Sequence, residues 1–178
     1  MGPKHSKEEI LTAALDAALD GGLSQLTFGS LALRLGISDR MVVYYFPSKD
    51  DLIHEVLVSM GLHLQETLAE AITQPAPDHL ALVAGAWPVL ARPAADPIFA
   101  LFFEAMGLAA SGRNPYTGLM PGLVDAWVEW LAQCFVGTAR RRRSQAEAAL
   151  ALLDGLLLLR QLAGPAAANR AAKVLGVM

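Results

Sequence analysis

Residues 27–50 read TFGSLALRLGISDRMVVYYFPSKD, two short helical patterns that meet at Leu35-Gly36-Ile37-Ser38. Glycine at 36 supplies the left-handed residue that a tight corner between two helices requires. Leu31, Ala32 and Leu35 face inward from the first helix, and Ile37 and Val42 close a small core. The second helix projects Asp39, Arg40, Met41, Tyr44 and Tyr45 outward. A helix of that size fits the major groove of DNA, where its N-terminal residues reach base edges.

Upstream, Ser6 and Glu9 form a capping box and Gly21-Gly22 a stop. Between them Ile10, Leu11, Ala14, Leu15 and Ala18 make one apolar stripe. Thr27 caps the second helix and Ser38 the third, which runs to about Phe46. Pro47 cannot continue that helix, and Ser48-x-x-Asp51 opens a fourth that extends to Thr73. Pro75 and Pro77 mark a break, and Asp78 caps a fifth helix kinked at Pro88. Asp96-Pro97 and Asn114-Pro115 each place a cap before a proline at the first helical position. Pro121 then leads a helix to about Ala139, Ser144-x-x-Glu147 starts another to Ala163, and a short one covers Ala166–Leu175. The expected fold class is therefore all-α. A three-helix helix-turn-helix domain takes residues 1–47, and a larger helical domain takes 48–178.

Composition narrows the function classes. The 178 residues are 54% hydrophobic and 17% charged, which excludes an intrinsically disordered chain. Cys134 is the only cysteine, so no disulfide framework exists within the chain. The apolar run Ala148–Leu159 falls short of the roughly 20 residues a bilayer helix needs and contains Asp154. The polar start, Met1–Glu9, has no apolar signal-peptide core, so a soluble cytoplasmic protein is expected. The apolar excess calls for a large subunit interface, an internal apolar pocket, or both. No phosphate-binding glycine loop, nucleophile elbow or metal-spaced His/Cys cluster occurs, so neither an enzyme, a cofactor nor a metal site is expected. Residues 1–60 carry five Lys/Arg against eight Asp/Glu, so DNA binding must rest on local geometry rather than a basic field.

The run Gly36-Ile37-Ser38-x-x-x-Val42-x-Tyr44-Tyr45-Phe46-Pro47-Ser48-Lys49-Asp50-x-Leu52 resembles the TetR family of bacterial transcriptional regulators. The resemblance implies an all-helical homodimer that binds a palindromic operator and is released by a small ligand held in the C-terminal domain. By position, Thr27 and Lys49 fall where the family meets phosphates, and Ser38 caps the recognition helix. Asp39, Arg40 and Met41 occupy base-reading positions, and Tyr44 and Tyr45 the aromatic segment beside the backbone. Three departures stand out. Asp39 puts a carboxylate at the groove-facing end of the recognition helix, where it repels phosphate. Arg40 stands where the family often has a small residue, and Val43 replaces a common tyrosine. Arg40 can donate two bonds to guanine, and Asp39 can accept from a cytosine amino group.

With that family, the aromatic residues between 80 and 135 read as a ligand cavity: Trp87, Phe99, Phe102, Phe103, Met106, Tyr116, Trp127 and Trp130. Without it they read as plain core. Glu104 lies opposite the Phe99/Phe102/Phe103/Met106 face and reads as solvated. Cys134 reads as a buried, inert thiol, and Arg140–Arg143 as a solvated loop after a helix end. The last long helix is apolar over more than half its circumference, which suits pairing across a two-fold axis. Leu150, Leu153 and Leu157 form its expected interface stripe, and Gly155 permits close approach. The expected partners are double-stranded DNA, a small-molecule effector and a second copy of the chain. The rival reading is a small-molecule-binding or protein-interaction module with a degenerate helix-turn-helix that no longer binds DNA.

Overall fold

The computed structural model describes residues 5–178. Among the described residues there are nine α-helices and no strand: α1 (Lys7–Gly21), α2 (Phe28–Leu35), α3 (Asp39–Tyr45), α4 (Lys49–Ala71), α5 (His79–Leu90), α6 (Asp96–Ala110), α7 (Tyr116–Gln133), α8 (Ala139–Ala163) and α9 (Pro165–Val174). Short 3-10 turns at Leu23–Gln25 and Pro93–Ala95 precede α2 and α6. The all-helical expectation holds.

Local signals set most helix starts. Ser6/Glu9, Thr27/Ser30 and Ser48/Asp51 each form reciprocal capping boxes, and the Asp78 carboxylate caps α5. Each such cap is worth about 1 kcal/mol. Gly36 sits at φ 67° and ψ 31°, the left-handed corner between α2 and α3.

Three starts differ from the sequence expectation. α7 begins at Tyr116, one turn before Pro121, which lies inside the helix. α8 begins at Ala139, because Thr138 accepts a bond from the Arg141 N–H and starts the helix before Ser144 can. Arg140–Arg143 are thus the first turns of α8 rather than a loop. Asp96 is the third: it leads α6 without capping it, and its carboxylate takes a bidentate pair from Arg160 on α8, at 2.6 and 2.9 Å. Arg160 is buried, so this ion pair ties α6 to α8 through the interior.

The apolar residues form two cores that α4 joins. The first gathers Ile10, Leu31, Val42 and Phe46 around Leu52–Met60 of α4, and it is closed by Leu101 and Ala105 of α6 and by Tyr116 and Met120 of α7. The second starts at Leu64 and Leu68 of α4 and runs through α5, α7 and α8 to Ala168 and Ala172 of α9. α6 also bridges, with Phe99 in the second core and Leu101 in the first. That double duty explains its composition: Pro93–Ala110 is long and apolar enough to cross a membrane by those criteria alone, yet it is the strut between two cores.

Candidate nucleic-acid interface and cavity

α3 is held by its inward side. Val42 is fully buried, Met41 is half-buried against the first core, and Phe46 anchors the helix end beneath Lys7, whose ammonium lies 5.4 Å from the ring centroid. This leaves Ser38, Asp39, Arg40, Val43 and Tyr44 exposed, Tyr44 to 77%. Ser38 occupies the N-cap position, but its hydroxyl makes no capping bond. Tyr45 is half-buried; its hydroxyl donates to the His5 carbonyl at 3.2 Å, and its ring meets Tyr44 edge-on at 5.0 Å. Of the expected base-reading residues, Met41 is therefore half turned toward the core, because it shares a helical face with Tyr45, four residues on, and both pack beside the buried Val42. Thr27 is exposed at the head of α2, and Lys49 is exposed as the first residue of α4.

The charges of this face sort by partner. Lys7 pairs with Glu55 at 2.6 Å, and Arg34 with Asp20 at 3.0 Å. Arg40 and Lys49 have no ion pair among the described residues. Besides them, the face presents the backbone N–H groups at the heads of α2 and α4, which geometry and helix dipole aim at anions.

Between the helices lies an apolar cavity of about 50 Å³. α4 lines it with Leu57, Met60, Gly61 and Leu64, and α6 with Ile98, Phe99 and Phe102. α7 contributes Leu123, Trp127 and Leu131, and α8 contributes Leu150, Leu153, Asp154 and Leu157. Gly61 leaves α4 bare where the Trp127 indole nitrogen comes within 3.6 Å of the position a Cβ would take.

Only Phe99, Phe102 and Trp127 of the expected aromatic set reach this cavity. Trp87 is buried in the second core and does not line the cavity, and its indole N–H has no partner among the described residues. Phe103 and Trp130 pack against the second core, and Met106 against the first. Tyr116 is buried in the first core, where burial and then the nearby Glu104 and Asp50 push its hydroxyl pKa up. The reason is geometric: a broad helix face is wider than a cavity, so adjacent ring positions diverge into different cores.

The expected interface stripe on α8 also needs correction. Leu153 and Leu157 are buried within this chain, and Leu150 lines the cavity beside them. Gly155 is exposed, with no atom within 4 Å of a Cβ built there. It shares the outward face with Ala151, Leu158 and Leu162, the last 78% exposed. Those spacings follow one helical stripe.

Two residues to which the sequence assigns no role prove central, and the solvated reading of Glu104 needs correction. The Glu104 carboxylate accepts the N–H groups of Leu23 and Ser24 at 2.9 and 3.3 Å, joining α6 to the turn before α2 rather than facing solvent. Asp154 lies in the cavity wall, where burial pushes its carboxyl up to about 6. Cys134 is half-buried and its thiol is likewise pushed up by burial, consistent with an inert group. Arg143 pairs with Asp125 and Glu147 on the surface.

Residues 10–56 match the family model described as bacterial regulatory proteins, tetR family. No curated protein matches the chain in sequence. Among solved structures, a TetR-family transcriptional regulator from Rhodococcus sp. superposes with a TM-score of 0.75 at 16% identity, covering 96% of this chain and 94% of that one. A transcriptional regulator from Streptomyces coelicolor gives 0.70 at 22% identity, with 95% and 96% covered. One from Saccharomonospora viridis, in complex with choline, gives 0.71 at 19%, with 96% and 93% covered. Residues 10–56 thus carry the sequence pattern of the TetR-family regulators, and the chain has their all-helical fold over nearly its whole length.

Proposed function

We propose that this chain is a cytoplasmic, homodimeric, DNA-binding transcriptional regulator rather than an enzyme. In this reading it is a repressor of a palindromic operator, released by a small and largely apolar molecule. The division into a DNA-binding part, residues 1–47, and an effector and dimer part, 48–178, belongs to the same proposal. The observation that carries it is α4, which starts with Lys49 beside the exposed recognition helix and continues as a wall of the apolar cavity.

Arg40 and Asp39 read base edges, while Thr27, Tyr44 and Lys49 with the helix heads of α2 and α4 meet phosphates. Ser38, whose hydroxyl makes no capping bond at the head of α3, stands at the same approach. Two copies join through the outward stripe of α8 around Gly155, Leu158 and Leu162, which places two recognition helices in successive major grooves about 34 Å apart. A ligand against Phe99, Phe102 and Trp127 shifts α6 and α4 together. Through Glu104 and the turn at Leu23–Gln25 that shift reaches α2 and changes the separation of the two reading heads. The ligand must bind the form with the altered separation more tightly, since only differential affinity moves the equilibrium. The S. viridis protein of this fold is in complex with choline, which supports a small organic effector.

The test is selection of DNA from a random duplex library at two salt concentrations. The expected product is an inverted repeat with half-sites about one helical turn apart. Failure to enrich any sequence at low salt would overturn the proposal in favour of the degenerate-module reading. The two cations per subunit that are unpaired among the described residues of this face contribute about −4 to the log–log salt slope of a dimer.

A further inference from the structure

The cavity contains one group that its apolar lining does not explain. Asp154 is the only Asp, Glu, His, Lys or Arg among its lining residues, so α4, α5, α6 and α7 bring no titratable or charged side chain to it. Among the described residues no cation pairs with this carboxylate. Asp154 is half-buried, so its carboxylate keeps some solvent contact, yet the apolar walls around it still impose a desolvation cost that a bound cation would offset. Its ionisation near neutrality reflects that cost: burial holds the carboxyl at about 6, so it is charged in most molecules at pH 7 and above.

The surroundings define which cation fits. A metal ion would find one carboxylate and no second His, Cys, Asp or Glu in the lining, too few ligands to hold it. An organic ammonium finds Asp154 for its charge, and the Phe99, Phe102 and Trp127 rings and leucine walls for its apolar part. We propose that the cavity takes a monovalent organic ammonium whose charge pairs with Asp154 and whose apolar body lies against Phe99, Phe102 and Trp127. This inference rests on the cavity being the effector site and adds the chemical class of the effector. A volume of about 50 Å³ favours a slender alkyl or small-headed cation over a bulky one.

Three probes of equal length separate charge from shape: hexylammonium, hexan-1-ol and hexanoate, titrated calorimetrically into the full-length protein at pH 8. Hexylammonium is expected to bind at least tenfold more tightly than hexan-1-ol, with hexanoate weakest. In Asp154→Asn the ammonium and the alcohol are expected to bind within about twofold of each other, the alcohol's affinity being unchanged. In the unaltered protein, lowering the pH to 5 protonates Asp154. This is expected to weaken hexylammonium about tenfold and leave hexan-1-ol unaffected. The pH arm keeps the test intact if the variant does not fold. Equal binding of ammonium and alcohol at pH 8, or an ammonium preference that survives Asp154→Asn, overturns the inference while leaving the cavity as a site for neutral ligands. Binding of none of the three overturns the effector-site reading and this inference with it.

Discussion

Between Thr27 and Asp51 the structural devices lie within a few residues of their partners: Thr27 with Ser30, Gly36 at its corner, Ser48 with Asp51. The cavity draws its walls from α4 through α8, with Leu57 and Leu157 a hundred positions apart. The first region is a set of nearly independent local bonds, so each can be lost for about 1 kcal/mol. The second stands on long-range contacts, and few of those are polar. The Asp96–Arg160 pair and the Glu104 contact with Leu23 and Ser24 are the ones that fix α6, at its first residue and just past its middle.

The sharpest way to break that contrast is Arg160→Ala. It leaves Asp96 facing the vacated interior, and Gln161, which donates to the Asp96 carbonyl at 2.8 Å, loses its aligned neighbour. The expected loss is about 3 kcal/mol in urea unfolding, moderated because Asp96 keeps some solvent contact. Ser48→Ala in the same assay is expected to cost about 1 kcal/mol. Equal costs would mean that the long-range clamp contributes no more than a local cap, and the contrast would fall.

Asp154 offers a second test within the cavity. Its folded-state carboxyl is raised from 3.8 to about 6, so the native state binds its proton more tightly than the unfolded chain. Its contribution to stability is full below about pH 4 and is lost as the pH rises through 6. Asp154→Asn is therefore expected to stabilise the protein at pH 8, by on the order of 2 kcal/mol, and to leave it nearly unchanged at pH 4. Thermal melts across that range check the sign. A variant no more stable than the parent at pH 8 would show that the carboxylate has partners when ionised.

At the recognition helix the expected effect is smaller in energy but specific in kind. Arg40→Ala is expected to lose roughly tenfold in discrimination at one base pair of each half-site while keeping affinity for unrelated duplexes. Competition binding with single-position operator variants measures this. Equal losses on every sequence would move Arg40 from base reading to phosphate contact.

What could be read from the chain follows the same division. The capping boxes, the Gly36 corner and the Pro47-Ser48 restart lie within four residues of what they act on, so α1 to α4 start where the sequence places them. Glu104 was legible only as a residue off the aromatic face; its partners lie 80 positions upstream, and no local pattern encodes them. From Ala148 to Leu159 α8 is apolar over more than half its circumference, so periodicity cannot say which leucines face the cavity and which face outward. Leu153 and Leu157 turn in, and Leu158 and Leu162 turn out. Asp154 reads in sequence as a break in a greasy run. Its meaning appears only when five helices close around it.

Lys49 carries the smallest effect and the most diagnostic one. It is exposed, unpaired among the described residues and the first residue of α4, next to acidic Asp50 and Asp51. Those carboxylates favour the helix dipole but oppose a nearby phosphate, so the lysine offsets them only in part. Lys49→Ala is expected to weaken operator and random duplex alike, by a few-fold at moderate salt, and to flatten the salt slope by about one unit per subunit. Titrations at four salt concentrations on both duplexes read the two quantities together. A changed base preference with an unchanged slope would place Lys49 in the groove. An unchanged affinity and slope would mean that α4 meets the backbone only through its N–H groups, and that of the two cations unpaired among the described residues DNA feels Arg40 alone.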